Sequence, residues 1–195
     1  MSARTLLRRL LPVVLFAPVL TGCGYNTIQS YDEAAAAAKQ QIEVQLQRRA
    51  DLVPNLVSTV QGFAAQEQAV FGKVAEARST LLTAVKGGDV TQMAEANQAL
   101  TGSLGRLLAI AESYPTLKSD ANFLRLQDEL TGTENRIAVA RTDYNEAVQR
   151  YNTYIRKFPA VLTAKATGAK ERVYFEVANA AAREAPKVEF PAAKP

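Results

Sequence analysis

One stretch decides the fold, residues 45–57, and it reads Gln45-Leu46-Gln47-Arg48-Arg49-Ala50-Asp51-Leu52-Val53-Pro54-Asn55-Leu56-Val57. Its apolar residues have the spacing of a helix, but two arginines, an aspartate, a proline and an asparagine stand among them. Charges and a proline within an apolar helical stripe break the local rules of helix formation. Such a break marks a bend, a polar anchor between helices or a functional surface, and we expect one of the three here.

The apolar stripe continues on both sides of this stretch. A 3–4 alternation of mostly apolar residues extends from Ile28 to Leu81 and keeps its phase across Pro54. This favours a single kinked helix from Ile28 to about Ala84. The alternative is a hairpin, in which Asp51 caps a new helix that holds Pro54 in its first turn.

Two further stripes follow in the second half of the chain. Residues 86–89 contain two glycines and end the first run, and Asp89 or Thr91 can cap the helix that carries the stripe 93–111. Ser119 or Asp120 can cap the next helix, which carries the stripe 123–154 and stops at Phe158-Pro159. A short helix is expected around residues 170–183, followed by a loosely ordered end.

Helices joined by short connections bury their stripes against one another. We therefore predict an all-α fold, an elongated antiparallel helical bundle with a short C-terminal helix and tail. The bundle has three long helices if Pro54 is a kink and four if it is a hairpin. Residues 23–158 would form the bundle and residues 159–195 the short helix and the proline-containing tail.

Residues 1–22 have the composition of a signal peptide, with three arginines and no acid, an apolar run at 10–20 and small residues at the end. The run is shorter than the roughly 20 residues that a bilayer-spanning helix needs. It ends in Leu20-Thr21-Gly22-Cys23, which resembles the lipobox of bacterial lipoproteins. That resemblance implies cleavage after Gly22 and acylation of Cys23, so we expect a palmitate-type lipid tether on an extracytoplasmic body. Gly24 stands where some lipoproteins carry an inner-membrane retention aspartate, which favours the outer membrane, periplasmic side, in a Gram-negative source.

The basic character of the chain belongs to this leader. The formal net charge is +4, and it falls to +1 once the three arginines of residues 1–22 are removed. A nearly neutral body lacks the positive surface that binds a phosphate backbone, so no nucleic-acid partner is expected.

The residues assembled so far resemble the LemA family. The likeness rests on the pattern in residues 46–57 and on several shorter matches, namely Tyr25-Asn26, Glu67, Ala77-Arg78, residues 137–145, Tyr151-Asn152, Phe158-Pro159 and residues 174–176. The resemblance implies an all-helical, membrane-associated bacterial protein, and it implies no mechanism.

Two groups of polar residues are candidate interaction sites. In the first group, Arg48, Arg49, Asp51 and Asn55, the arginine at 49 falls on the apolar stripe, where burial without a partner would cost several kcal/mol. Glu67 or Glu134 could pair with it. The group is either a partner-binding surface or an internal network that fixes the register of the helices.

The second group is a repeat with a spacing of one heptad, Tyr144-Asn145 and Tyr151-Asn152. Both tyrosines fall on the apolar stripe and each asparagine lies one step from it. The repeat is either a ladder that faces a ligand, or a pair of core tyrosines whose hydroxyl groups reach the edge of the bundle.

Catalysis has few residues to build on. The chain has no histidine, its only cysteine is assigned to the lipid, and its carboxylates are spaced as on solvated helix faces. We predict a non-enzymatic envelope scaffold or adaptor with unidentified protein partners, no metal and no cofactor except the lipid on Cys23. The alternatives are a small-molecule or peptide-sensing module with a pocket in the bundle, and an amphipathic membrane-remodelling protein.

Overall fold

The computed structural model describes residues 3–176, with side chains described from Gly24 onward. In this part of the chain there are six helices and no strand, and the helices are α1 Ala3–Gln61, α2 Gln68–Gly87, α3 Val90–Glu112, α4 Pro115–Lys118, α5 Ala121–Arg156 and α6 Ala160–Thr167. The predicted all-α bundle is confirmed. Within the proposed signal peptide, residues 1–22, the structure describes only that the backbone from Ala3 onward belongs to α1. Residues 1–2, the side chains of residues 3–23 with the acyl site on Cys23, and the tail beyond Glu176 lie outside the described part.

The four long helices, α1, α2, α3 and α5, alternate in direction. Arg49 on α1 meets Glu134 on α5, and Tyr31 lies nearer the start of α1 and packs on Tyr154 nearer the end of α5, so these two helices are antiparallel. Helix α2 folds back along α1, α3 returns beside α2, and the short α4 leads into α5. The result is an up-down-up-down arrangement with a continuous apolar core.

The two ends of the bundle are built differently. Around the second half of α1, all four long helices share the core. Around residues 24–32 of α1, helix α6 and the segment 169–176 pack against α1 and α5 instead. A second, smaller apolar cluster of Ile28, Tyr151, Ile155 and Ala164 holds α6 in this place. No helix in the described part of the chain is both long and apolar enough to cross a membrane.

The first turn of the bundle lies beyond Pro54. Helix α1 continues through the proline to Gln61, and α2 begins at Gln68. The predicted helix to about Ala84 is therefore wrong beyond Gln61, and so is the hairpin at Pro54. The apolar stripe keeps its phase across the turn because Val60 and Ala64 are buried in the same core that α2 rejoins.

The termini of the later helices follow the sequence more closely. Asp89 caps α3 by accepting a hydrogen bond from the Gln92 N–H at 3.0 Å, and Asp120 caps α5 in the same way through Phe123 at 2.9 Å. Each is one of the two residues that the sequence offered as the cap.

The short C-terminal helix lies earlier than expected. It occupies Ala160–Thr167 and ends at Gly168, whose positive φ of 72° provides a left-handed C-cap. The expected helix around residues 170–183 is wrong for residues 170–176, because backbone groups of this segment bond to α5 side chains instead of to a helix of their own. Residues 177–183 lie outside the described part. Residues 24–27 belong to α1.

Pro54 stands within α1 because another helix satisfies the carbonyl that the proline leaves without a partner. In a helix the N–H of residue 54 would donate to the carbonyl of Ala50, and proline has no N–H. Arg78 on α2 donates from Nε to the Ala50 carbonyl oxygen at 2.8 Å instead. The missing donor in α1 thus becomes an anchor between α1 and α2.

We predict that Pro54 and Arg78 are energetically coupled. Arg78→Met should lower the free energy of unfolding by about 1–3 kcal/mol, because the Ala50 carbonyl loses its donor. In a Pro54→Ala background the same change should cost less, because the restored N–H supplies a donor. Chemical denaturation of the four variants measures this coupling. Arg106→Met, at an exposed position of α3, is the control. An equal loss in both backgrounds would contradict the coupling.

Candidate functional site

A buried arginine joins three helices in the middle of the bundle. The Arg49 side chain on α1 is in the core, and the residue is only 5% exposed. Its Nη1 donates to Asn97 Oδ1 on α3 at 2.8 Å and lies 2.5 Å from Glu134 Oε2 on α5. We refer to Arg49, Asn97, Glu134 and the Ala50–Arg78 bond as the polar node.

The electrostatics of the node are those of a charge moved out of water. Burial lowers the pKa of the Arg49 guanidinium below its ordinary value, and the Glu134 carboxylate acts in the opposite direction. The pKa of an arginine is high enough that the group stays charged, so Glu134 is its counter-ion. The Glu134 side chain is 46% exposed and therefore keeps contact with water while it neutralises the buried cation.

Together the four side chains of the node connect all four long helices. Residues 49 and 50 are consecutive on α1, and between them they bond to α2, α3 and α5. Asn97 and Arg78 were not predicted as site residues. A signal for Asn97 was present, since the 4–3 alternation from Met93 to Leu100 passes through it.

The remaining residues of the first candidate group are not drawn into the node. Arg48, Asp51 and Asn55 are exposed on α1, and Asp51 accepts a hydrogen bond from Gln47 Nε2 at 2.9 Å. Glu67 immediately precedes α2 in the turn, roughly 18 Å of helix beyond Arg49. The structure therefore pairs Arg49 with Glu134 and not with Glu67.

A second site lies on α5, where the two asparagines of the Tyr-Asn repeat hold the segment 169–176. Asn152 donates from Nδ2 to the Arg172 carbonyl at 2.9 Å and accepts from the Arg172 N–H at 2.8 Å. Asn145 accepts from the Phe175 N–H at 2.8 Å and donates to the Phe175 carbonyl at 3.4 Å. Each side-chain amide thus bonds both backbone groups of one residue, as a neighbouring strand would.

The heptad spacing of the repeat matches the spacing of the segment that it holds. Seven residues of helix advance by about 10.5 Å, and three residues of extended chain advance by about 10 Å. Asn145 and Asn152 therefore meet residues that are three apart, Phe175 and Arg172. Between them, the Tyr144 hydroxyl donates to the Val173 carbonyl at 2.8 Å.

Two side chains of the segment add contacts with both α1 and α5. Arg172 Nε donates to Asp32 Oδ1 on α1 at 2.7 Å, and the guanidinium lies 5.9 Å from the centre of the Tyr151 ring. Phe175 is buried in the main core, with the Arg141 guanidinium 5.3 Å from its ring centre. We refer to the bonds from α1 and α5 to residues 172–175 as the tail clamp.

Burial also affects the two tyrosines of the clamp. It raises the pKa of Tyr144, and the Arg172 cation opposes this shift. Burial likewise raises the pKa of Tyr151, where the Asp32 carboxylate adds to the shift and Arg172 again opposes it. Both hydroxyl groups therefore remain protonated at neutral pH, and that of Tyr144 serves as a hydrogen-bond donor.

The described part of the chain contains no cluster of three or more carboxylate, histidine or cysteine side chains that could hold a metal. Two clefts between helices of the described part are open, with volumes of about 460 Å³ beside α2 and α3 and about 490 Å³ beside α1 and α5. At Tyr144, Tyr151 and Asn152, where a ligand pocket was the alternative expectation, the chain's own residues 172–175 are bound.

Comparison with known proteins agrees with this architecture. The model of the LemA family matches residues 38–190, a range that holds the polar node and the whole segment 169–176. The chain belongs to the LemA family. The resemblance seen in residues 46–57 is confirmed.

Three relatives of the chain, each 33% identical to it, are magnetosome proteins. The chain is 33% identical to MamQ 1 and to MamQ 2 of Paramagnetospirillum magneticum over 189 residues, covering 85% of this chain and 69% of each relative. It is also 33% identical to MamQ of Magnetospirillum gryphiswaldense over 174 residues, covering 77% of this chain and 64% of that protein.

We predict that the two sides of the Arg49–Glu134 pair are not equivalent. Glu134→Ala leaves a buried cation without its counter-ion and should lower the free energy of unfolding by about 1–2 kcal/mol, a value reduced by the exposure of Glu134. Combining it with Arg49→Met should recover part of the loss, because the cation is removed while the stem still packs. Thermal and chemical unfolding measure both effects. Glu129→Ala, exposed on the same helix, is the control. A double variant less stable than Glu134→Ala would contradict the prediction.

We predict that each asparagine of the clamp protects one amide. Asn152→Ala should increase hydrogen exchange at the Arg172 N–H more than at the Phe175 N–H, because only the first loses its acceptor. Asn145→Ala should show the reverse order. Residue-resolved exchange by NMR measures both, and Asn135→Ala, exposed on α5, should change neither. Equal acceleration of both amides in each variant would show that the segment is released as a unit.

Proposed function

We propose that this LemA-family chain is a non-enzymatic, membrane-anchored scaffold or adaptor of the cell envelope that acts through protein–protein contacts. The observation that carries the proposal is the polar node. Its buried charge and its hydrogen bonds are used to fix four helices to one another, as expected of a rigid platform. The naming of the MamQ relatives as magnetosome proteins fits a role at an assembled cell structure.

The proposed tether is the acylated Cys23. The lipid would then be attached at the start of the body, and α1 would lead directly away from it. Multiple acyl chains hold a protein firmly at a bilayer, whereas a single chain binds only marginally. Delivery to the outer membrane, facing the periplasm, is part of the same proposal for a Gram-negative source.

The proposed contact patch consists of Arg48, Asp51 and Asn55. These side chains are exposed on α1 at the level of the node, where the backbone beneath them is tied to three other helices. A surface held in place before binding loses little conformational entropy when a partner docks. We therefore place the partner contact on this outward face of α1.

The tether is tested by Cys23→Ser. We expect this variant to leave the membrane fraction, because the thiol that carries the lipid is lost, while Ser30→Ala remains with the membrane. Fractionation of cells and mass spectrometry of the N-terminal peptide are the measurements. Undiminished membrane retention of Cys23→Ser, or an unacylated chain that begins at Met1, would refute the lipid anchor.

The contact patch is tested by crosslinking in cells. A photoreactive amino acid at position 48 or 55 should capture a discrete partner, whereas the same group at Gln98, exposed on α3, should not. Mass spectrometry identifies the captured chain. Identical capture profiles from the patch and from position 98 would count against a specific contact surface.

A second candidate function is supported by the tail clamp, which has the form of a receptor for an extended peptide. Its asparagines bind the peptide backbone. Asp32 binds the side chain of Arg172, and the core takes up the side chain of Phe175, three residues further on. A sensing role would require that another peptide replace residues 172–175. Binding of a synthetic peptide of residues 169–176 to the chain with Phe175→Ala, and its loss with Asn152→Ala added, would favour this function over a pure scaffold.

A further inference from the structure

Helix α6 exposes its largest apolar side chain and buries only small ones. The residues that it buries are two alanines, Ala160 and Ala164. Leu162, midway between them and thus on the opposite face, is 60% exposed, and Phe158, which precedes the helix, is 81% exposed. A surface helix of a globular protein normally has the reverse arrangement, so this exposed face calls for a partner.

The position of α6 indicates which partner this is. Ala164 packs in the small cluster with Ile28, and Thr163 lies so close to Gly24 that a Cβ there would be 3.3 Å from its Oγ1. Gly24 follows Cys23, the proposed lipid site, in the sequence. The exposed face of α6 therefore lies at the end of the body that the tether would hold against the bilayer.

The side chains around this face suit a lipid headgroup layer. Lys157 and Lys165 are exposed on either side of Leu162, and Lys165 lies on the same helix face, three residues on. Exposed Tyr25, next to Gly24, adds an aromatic ring with a polar tip at the same end. Apolar side chains flanked by lysines are typical of helices that lie in the interface of an anionic membrane.

We propose that α6, with Phe158 and Leu162 inserted and Lys157 and Lys165 on anionic headgroups, is a membrane-docking surface that sets the orientation of the bundle. This inference rests on the proposed tether and goes beyond it, because a lipid on Cys23 alone would leave the body free to swing. With α6 docked, Gly24 and Ile28 of α1, which lie against α6, stay close to the bilayer. The turn at Phe63 is then held about 55 Å from Gly24, which is the length of α1 between Gly24 and Gln61.

The absence of tryptophan from the chain allows a direct test. Phe158→Trp gives a single reporter at the proposed surface, and Phe63→Trp gives one at the turn, where the native ring is 40% exposed. Each full-length variant, purified from bacterial membranes with its native N-terminus, is reconstituted into vesicles of phosphatidylethanolamine and phosphatidylglycerol with brominated acyl chains. Quenching should be at least about twofold stronger at position 158 than at 63, with a blue-shifted emission.

Two further variants separate docking from tethering. In the Phe158→Trp chain, Leu162→Ser and the pair Lys157→Glu with Lys165→Glu should each reduce the quenching, whereas Lys73→Glu with Lys86→Glu on α2 should not. Vesicles that float with the protein but quench both tryptophans equally would overturn the docking surface and leave the tether intact. A full-length chain that does not float would overturn both.

Discussion

The buried guanidinium of Arg49 is the constraint on which the bundle depends. A charge in an apolar core is tolerated only where counter-charge and hydrogen-bond acceptors converge on it, and here they come from α3 and α5. Sliding either helix by one turn would move its acceptor by about 5.4 Å and leave the Arg49 cation without that partner. The adjacent carbonyl of Ala50 imposes the same condition on α2 through Arg78. One short stretch of α1 thus determines how the other three long helices align.

The opposite half of the molecule is held by a different principle. There the bundle lacks α2 and α3, and the segment 169–176 fills part of their place. Asparagine side chains replace the hydrogen bonds that a helix or a strand would have supplied to that segment, and Phe175 completes the core. The charged contact between Arg172 and Asp32 links the segment to α1. A segment late in the sequence thus helps to hold the early part of α1 in place.

Much of this could be predicted from the sequence, because it depends on local pattern. The apolar stripes gave the helices, the aspartates gave two of the caps, and Arg49 stood out as a charge on an apolar face. The turn after Gln61 was missed because the stripe keeps its phase across it. Arg78 was not recognised as a partner because its acceptor is a backbone carbonyl that only the position of Pro54 makes available. The ligand of the Tyr-Asn repeat was missed since it lies 20 to 30 residues away in a segment without regular structure.

The match between a seven-residue helical period and a three-residue extended period has a consequence for how this family can vary. The asparagines bind main-chain atoms, so they place little constraint on the side chains at positions 173 and 174. The number of residues between 172 and 175, in contrast, is fixed by the distance between the two amides. One inserted or deleted residue there would put one amide out of step with the other. Homologues should accordingly tolerate substitutions between residues 172 and 175 more readily than insertions or deletions there.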